Sequence, residues 1–480
     1  MATSTKIIWV FILFLALRIY FIFTFPPFID ESNYAWWGIL SLKLKDGLFM
    51  PVEVWHKQPL LFWVYGFGAQ IFNNPVTGAR LVNLIISIPP FFILYKLIRQ
   101  LRNANAATIG LILYAFSPFL IFSQATALMD GILFDLNIMV LALVFKLRKK
   151  FRWVDALNLG IILGLTLWIK TTGLYLGITA FVALIVFRVR TLIIPLIVSL
   201  SFILPLILRP DFNLILLEGQ GFALPLNEVA GFPIQTWFRN LLFFTISYLL
   251  YFTPAVFAGL FFLKKDTAQK ETRVLFLWFL MPSLLLILTS KMLNFRYDLF
   301  AAAPLLLILA VGLDNLISRL KNALWIRMLI FLPLLFEALL ITFHPLGFFS
   351  LIPKGSLLQI ERAYVFDWPS GYSVKEALAF FDSIRPSKGE VFLLVPTLDG
   401  MSNISSYALS YYRNSLGLKI LALPKDHIDL NQIRFLAKLS PVYFISHSQL
   451  IPTEIKPYIK PLRIFSRAEG DFTGVYQIKF

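Results

Sequence analysis

Cysteine is absent from the 480-residue sequence. That excludes disulfides, cysteine-ligated metals and a thiol nucleophile. Histidine occurs four times, at the scattered positions His56, His344, His427 and His447, so no histidine-rich metal motif is spelled out. Charge is scarce too. Charged residues make up 14% of the chain, against roughly 25% in ordinary soluble domains, too few to cover a soluble surface of this length. Acidic residues are the rarer sign, 26 against 43 basic, giving a net charge of +17. In a soluble protein that excess would suggest a nucleic-acid partner. In a membrane protein it is what Lys and Arg retained on cytoplasmic loops produce.

What is present is apolar. Hydrophobic residues reach 58%, with 49 Phe and 11 Trp, and mean hydropathy is +0.77. Segments of about 20 mostly apolar residues can span a bilayer. They are expected at about 7–25, 79–98, 106–123, 130–147, 154–169, 172–188, 191–208, 241–263, 273–290, 297–316 and 324–343. No small-residue cleavage site precedes Phe25-Pro26-Pro27, so the first is expected as a retained span and not a signal peptide. Leu60–Phe72 is apolar but only about 13 residues long, a length typical of interfacial or re-entrant segments, and it is left out of the count. Charge supports that choice. With the N-terminus inside, one side collects Lys96, Arg99 and Arg102, the run Lys146–Arg152, Arg188 and Arg190, Lys264, Lys265, Lys270 and Arg273, and Arg319, Lys321 and Arg327. The positive-inside rule then gives about eleven spans, a cytoplasmic N-terminus and an extracytoplasmic C-terminus.

The chain changes character after about residue 345. Val391–Val395, Leu418–Leu423 and Val442–Ser446 read as short buried strands. Ser373-Val-Lys-Glu376 reads as a capping box opening a helix over Ala377–Phe381, and Asp399-Gly400 as a turn. The expected fold class is therefore an all-α polytopic membrane module, residues 1–345 with a first outer loop at 26–78, followed by a small extracytoplasmic α/β domain at 346–480. That domain is expected to act as a stabilising or substrate-guiding lid.

The topology places several charges on one outer face. Asp30 and Glu31 leave the first span together, a costly place for carboxylates near a bilayer. Tyr34, Trp36 and Trp37 with Ile39 and Leu40 read as an interfacial helix. Lys57 follows, before Pro59. Asp130 opens the fourth span, Lys170 lies between the fifth and sixth, and Lys291 and Arg296 precede Tyr297 and the tenth. Singly, each is an ordinary solvated or snorkelling end residue. Together, acids and bases on one face can bind a phosphate and accept a proton.

These residues resemble a known family. Asp30-Glu31, Trp55-His-Lys57-Gln-Pro59-Leu-Leu-Phe-Trp63 and Thr77-Gly-Ala-Arg80-Leu81 follow the order seen in protein mannosyltransferases and aminoarabinose transferases. So do Ser117-Pro118 through Asp130, Lys170-Thr-Thr-Gly173, Arg296-Tyr297 with Pro304, and Trp368 through Glu376. Gln58 stands where the family has the first proline of Lys-Pro-Pro. The resemblance implies a GT-C fold glycosyltransferase that takes its sugar from undecaprenyl or dolichyl monophosphate. It implies Asp30 as general base, Glu31 in support, and Asp130 positioning the acceptor or a basic residue. Lys57, Arg80, Lys170, Lys291, Arg296 and Tyr297 would bind the lipid phosphate, and the reaction would invert the anomeric centre. No metal is required for such a leaving group, although the adjacent carboxylates are of a kind that can hold a divalent ion. The implied partners are the lipid-linked donor, an acceptor protein, lipid or glycan, and membrane lipids, with no nucleic acid. The rival class is a transporter or flippase-type protein of glycolipid metabolism, for which Asp135 inside the fourth span is the leaning residue. A scaffold would have no need of Asp30, and a ligase with a diphosphate donor stays within the enzyme class.

Overall fold

The computed structural model describes residues 3–480 apart from 264–269, 320–323, 368, 387–388, 398–402, 425–427 and 468–469. Lys264, Lys265, Lys321, Trp368 and the Asp399-Gly400 turn therefore lie outside the described residues.

Among the described residues, seven helices are long and apolar enough to cross a membrane, or nine if two bent pairs each count as one span. All eleven expected segments are helical. Trp153–Ile169 is a helix of 17 residues, short for a span. Met129–Lys149 carries Asp130, Asp135 and a basic end, which dilutes its hydropathy. The bent pairs are Ala104–Phe116 with Pro118–Ala125, at 60°, and Ile193–Ile207 with Phe212–Gln220, at 95°. Proline explains the first break. Pro118 has no N–H to give the carbonyl of Tyr114, and its ring displaces the preceding turn. The orphaned carbonyls are taken by a buried guanidinium: Arg18 donates to Tyr114 O at 3.0 Å and Ala115 O at 2.9 Å, and to Gln124 Oε1 at 2.9 Å. Asp135 sits in the same network, accepting from the Tyr114 hydroxyl at 2.7 Å and from Gln124 Nε2 at 2.8 Å. Burying these charges is tolerable because each has a partner.

The residues form two compact units that interleave along the chain. One comprises Met1–Phe23, Leu44–Trp63 and Arg80–Phe348 and holds most of the long helices. The other comprises Thr24–Lys43, Val64–Ala79 and Phe349–Phe480. The Asp30 helix, Ile29–Lys43, thus belongs with the C-terminal residues. Between the first two long helices the chain also forms helices at Met50–Trp55 and Leu60–Ile71.

The second unit contains a five-stranded sheet. Its strands are β1 (Val391–Thr397), β2 (Leu418–Pro424), β3 (Val442–His447), β4 (Ile459–Ser466) and β5 (Phe472–Ile478), in the order β2-β1-β3-β5-β4. β1 pairs parallel with β2 and β3, while β5 pairs antiparallel with β3 and β4. β1 and β3 are buried throughout, as expected for strands covered on both faces. The core around Phe392, Leu394, Phe444 and Ile433 fills one face. One local expectation fails. The helix runs Val374–Ile384, but Ser373 has φ 68° and makes no side-chain cap. Its hydroxyl donates instead to Ser466 O at 3.2 Å, so the capping box does not form.

Candidate active site

Asp130 is placed by a tightly held turn. The helix Pro118–Ala125 ends, three residues turn, and Met129 starts the next helix. The amide of Asn83, fully buried, donates to the carbonyls of Ser123 at 3.2 Å, Thr126 at 2.5 Å and Leu128 at 3.1 Å. Gly131 lets the two helices meet. A Cβ there would lie 2.5 Å from Ser123 O, so any larger residue would push the helix start away. Asp130 emerges from this junction only 4% exposed.

Two cations meet its carboxylate. Lys170 Nζ lies 2.6 Å from Oδ1, and Arg296 Nε lies 3.9 Å from Oδ2. Lys170 comes from the turn after Trp153–Ile169. Arg296 comes from a single 3₁₀ turn, Phe295–Tyr297, whose N-cap Asn294 accepts from the Arg296 N–H at 3.2 Å. The Tyr297 ring completes the group, with Lys170 Nζ 4.5 Å from its centroid and Arg296 Cζ 5.7 Å away. A cation over an aromatic face keeps its charge and gains modest attraction. One carboxylate thus faces two cations.

Lys57 joins through aromatic packing. Its Nζ is 5.8 Å from the Phe222 ring centroid, and Phe222 stacks edge-on to Tyr297 at 6.1 Å. The segment carrying Lys57 is anchored by Val52 packed with Leu206 and Ile215. Arg209 adds bonds to Glu53 at 2.8 Å and Asp211 at 2.9 Å while stacking on Phe49 at 3.9 Å. The short helix stops at His56, which adopts φ 55°, and the chain turns out at Lys57. Gln58 then donates from Nε2 to Thr171 Oγ1 at 2.8 Å. The Lys57 and Lys170 turns are therefore stitched directly together, by the residue that departs from the family's Lys-Pro-Pro. Lys57 Nζ is paired with Glu218 at 2.5 Å.

The other expected residues fall elsewhere. Arg80 is buried and donates to Ile22 O at 3.0 Å. Lys291 is exposed; its backbone N–H donates to Phe222 O at 2.9 Å and its carbonyl accepts from Arg239 at 3.0 Å. Asp30 and Glu31 lie in the second unit, in the first turn of Ile29–Lys43. Asp30 is half-buried, and Glu31 is fully buried, with Oε1 accepting from the Phe28 N–H at 3.1 Å. Glu31 therefore helps cap the helix that carries Asp30. Among the described residues, no group of three or more His, Asp or Glu is placed to hold a metal ion.

Glu218, Gln58, Asn83 and Phe222 were not singled out as site residues from the sequence. Glu218 sits in an otherwise apolar segment of the 209–240 loop, a placement that is itself a signal. Asn83 is a lone amide inside an apolar helix, where an interhelical partner is the usual reason for it.

The sequence pattern of the dolichyl-phosphate-mannose-protein mannosyltransferase family matches residues 56–209, the stretch holding Lys57, Asp130 and Lys170. No curated protein matches the sequence. Among solved structures, the chain resembles ArnT from Cupriavidus metallidurans in the apo state, with TM-score 0.58 and 12% identity over 99% of this chain and 98% of that one. It resembles ArnT bound to undecaprenyl phosphate equally, with TM-score 0.58, 13% identity and the same coverage. The oligosaccharyltransferase of Archaeoglobus fulgidus, in complex with Zn and sulfate, follows at TM-score 0.55 and 13% identity, over 98% of this chain and 72% of that one. The chain is thus a polytopic membrane protein of the GT-C fold, and its residues 56–209 carry the pattern of the dolichyl-phosphate-mannose-protein mannosyltransferases.

Proposed function

We propose that the chain transfers a sugar from a polyprenyl-phosphate carrier to an acceptor hydroxyl on the extracytoplasmic side of the membrane. The observation that carries this reading is the cluster of Asp130, Lys170, Arg296 and Tyr297, with Lys57 joined through Phe222. Its cationic donors on Lys57, Lys170 and Arg296 suit a lipid monophosphate. The similarity to ArnT, solved with undecaprenyl phosphate, supports that choice of ligand.

In the reaction, the acceptor oxygen attacks the anomeric carbon and its proton passes to Asp30. The bond from the anomeric carbon to the phosphate oxygen breaks, and its electron pair leaves with the phosphate. One in-line displacement inverts the anomeric centre. Lys57, Lys170 and Arg296 stabilise the charge that develops on the phosphate. Asp130 holds Lys170 and Arg296 in place while it keeps the cluster from binding the product too tightly. The cations neutralise the leaving group without a metal, so transfer persists in excess EDTA. The basic loops support a cytoplasmic N-terminus. The acidic residue that leaned toward a transporter, Asp135, is taken up by Tyr114 and Gln124.

The test is transfer of labelled sugar from polyprenyl-phosphate donors to extracted envelope glycoconjugates by the purified chain. The unaltered chain should transfer the sugar, and Asp30→Asn should lower transfer by about 10²–10⁴-fold, the range for losing a general base. Full turnover by Asp30→Asn would remove Asp30 from that role.

A further inference from the structure

The helix carrying Asp30 is fastened to the C-terminal sheet through a strap of backbone at Asp367 and 369–371. Ile29 N–H donates to Pro369 O at 3.0 Å, and Phe28 forms an antiparallel bridge with Ser370. The contact is close: a Cβ on Gly371 would lie 2.0 Å from Pro27 O. Phe28 packs against Tyr364 at a tilt, ring centroids 4.6 Å apart, and Phe25 meets Tyr372 edge-on at 6.4 Å. Further along, Asn33 bonds Ser406, whose helix Asn403–Tyr411 packs along Ile29–Lys43.

The strap in turn hangs from one side chain. Arg467, immediately after β4, donates from Nη2 to Asp367 O at 2.7 Å and Ser370 O at 3.2 Å. Its Nη1 lies 3.1 Å from Nδ1 of His447, the last residue of β3, and Thr473 Oγ1 from β5 lies 3.0 Å from the same nitrogen. Arginine has no acceptor, so His447 Nδ1 must accept, and the imidazole is neutral. Arg467 is 8% exposed and His447 fully buried. A guanidinium can bond two carbonyls and a ring nitrogen at once because its donors are fixed in a plane; an ammonium cannot reproduce that geometry.

We infer that Arg467 is a positioning residue for Asp30. It clamps Asp367 and Ser370, Pro369 and Ser370 pair with Ile29 and Phe28, and the pairing sets the first turn of the helix in which Asp30 stands. The C-terminal sheet is then the bench on which the base is mounted rather than a lid. The inference rests on Asp30 being the base, and displacement of a catalytic group by about 1 Å can cost on the order of 10²-fold in rate.

The experiment uses the full chain in detergent and reads two quantities for Arg467→Ala and Arg467→Lys. The first is hydrogen exchange of peptides covering residues 25–35. The second is kcat and donor KM for sugar transfer. The expected result is faster exchange at Ile29 and a kcat at least tenfold lower, with donor KM within twofold, and a smaller loss in Arg467→Lys. Because the chain has no cysteine, the pair Phe28→Cys and Ser370→Cys can be added to Arg467→Ala without competing thiols. Bridge partners of this kind are near enough to cross-link, and oxidation should restore kcat at least fivefold over the same protein reduced. Unchanged exchange at Ile29, faster exchange with kcat within twofold, or no effect of oxidation on a confirmed cross-link would each overturn the inference. If Asp30→Asn alone keeps full turnover, the assignment of the base fails, while the exchange result still reads the strap separately.

Discussion

Replacing Lys170 with Met keeps an unbranched side chain, one atom shorter, and removes its charge. Lys170 Nζ is 2.6 Å from Asp130, whose carboxylate is 5% exposed, and Lys170 itself is 23% exposed. Truncating one partner of a well-buried pair costs about 3–5 kcal/mol. Here Arg296 still faces Asp130 at 3.9 Å and Lys170 keeps some water, so the expected loss of stability is about 2–3 kcal/mol. A second loss falls on the donor. A hydrogen bond to a charged group contributes about 1.5–3 kcal/mol, so donor KM should rise by about 10- to 150-fold. Lys170→Arg, which keeps charge and a donor, should recover most of both. The assays are thermal unfolding in detergent and transfer rate against donor concentration. The reasoning is refuted if Lys170→Met loses stability but keeps its donor dependence, because Lys170 would then serve Asp130 and not the phosphate.

Three other outcomes follow from single contacts. Glu218 occupies Lys57 in a half-exposed pair, and such pairs contribute up to about 1 kcal/mol; Glu218→Gln should lower donor KM by up to about fivefold, measured by titration of the donor. Gly131→Ala would drive a methyl onto Ser123 O, so transfer should fall at least tenfold while Gly177→Ala, which meets nothing within 4 Å, leaves the folded yield unchanged. Burial, and then the charge of Arg467, hold His447 well below its usual 6.5. The unfolded state therefore binds a proton that the folded state refuses, and stability falls as pH drops below about 6.5, by up to about 1.4 kcal/mol per pH unit. Hydrogen exchange of β3 between pH 7 and 5 reads this, and His447→Asn should flatten it.

The membrane helices were legible because lipid demands long apolar runs, and within a single segment a helix is what satisfies the backbone there. Their number was less so: hydropathy alone does not separate a span from a helix such as Met129–Lys149, whose acids Asp130 and Asp135 are each held by polar partners inside the protein. Three strands were read from apolar runs and expected to be buried; β1 and β3 are, whereas β2 is a partly exposed edge strand. β4 and β5 were not read, since β4 is a mostly exposed edge carrying Pro461 and two basic residues, and β5 is interrupted by Gly474. The capping box failed because its sequence pattern is local, whereas Ser373 is turned toward Ser466 by the sheet. Within the site, charges at span ends were conspicuous against an apolar background, which is why Asp130, Lys170 and Arg296 could be grouped. Asn83, Gln58 and Glu218 were hidden because each acts through a partner 40 or more positions away along the chain.

The most direct measurement compares binding of undecaprenyl phosphate and uncharged undecaprenol to the purified chain at low and high salt. Tighter binding of the phosphate, weakened by salt and by Lys170→Met, is the predicted result. Equal binding of both lipids, indifferent to Lys170, would show that the cluster around Asp130 does not hold a lipid phosphate.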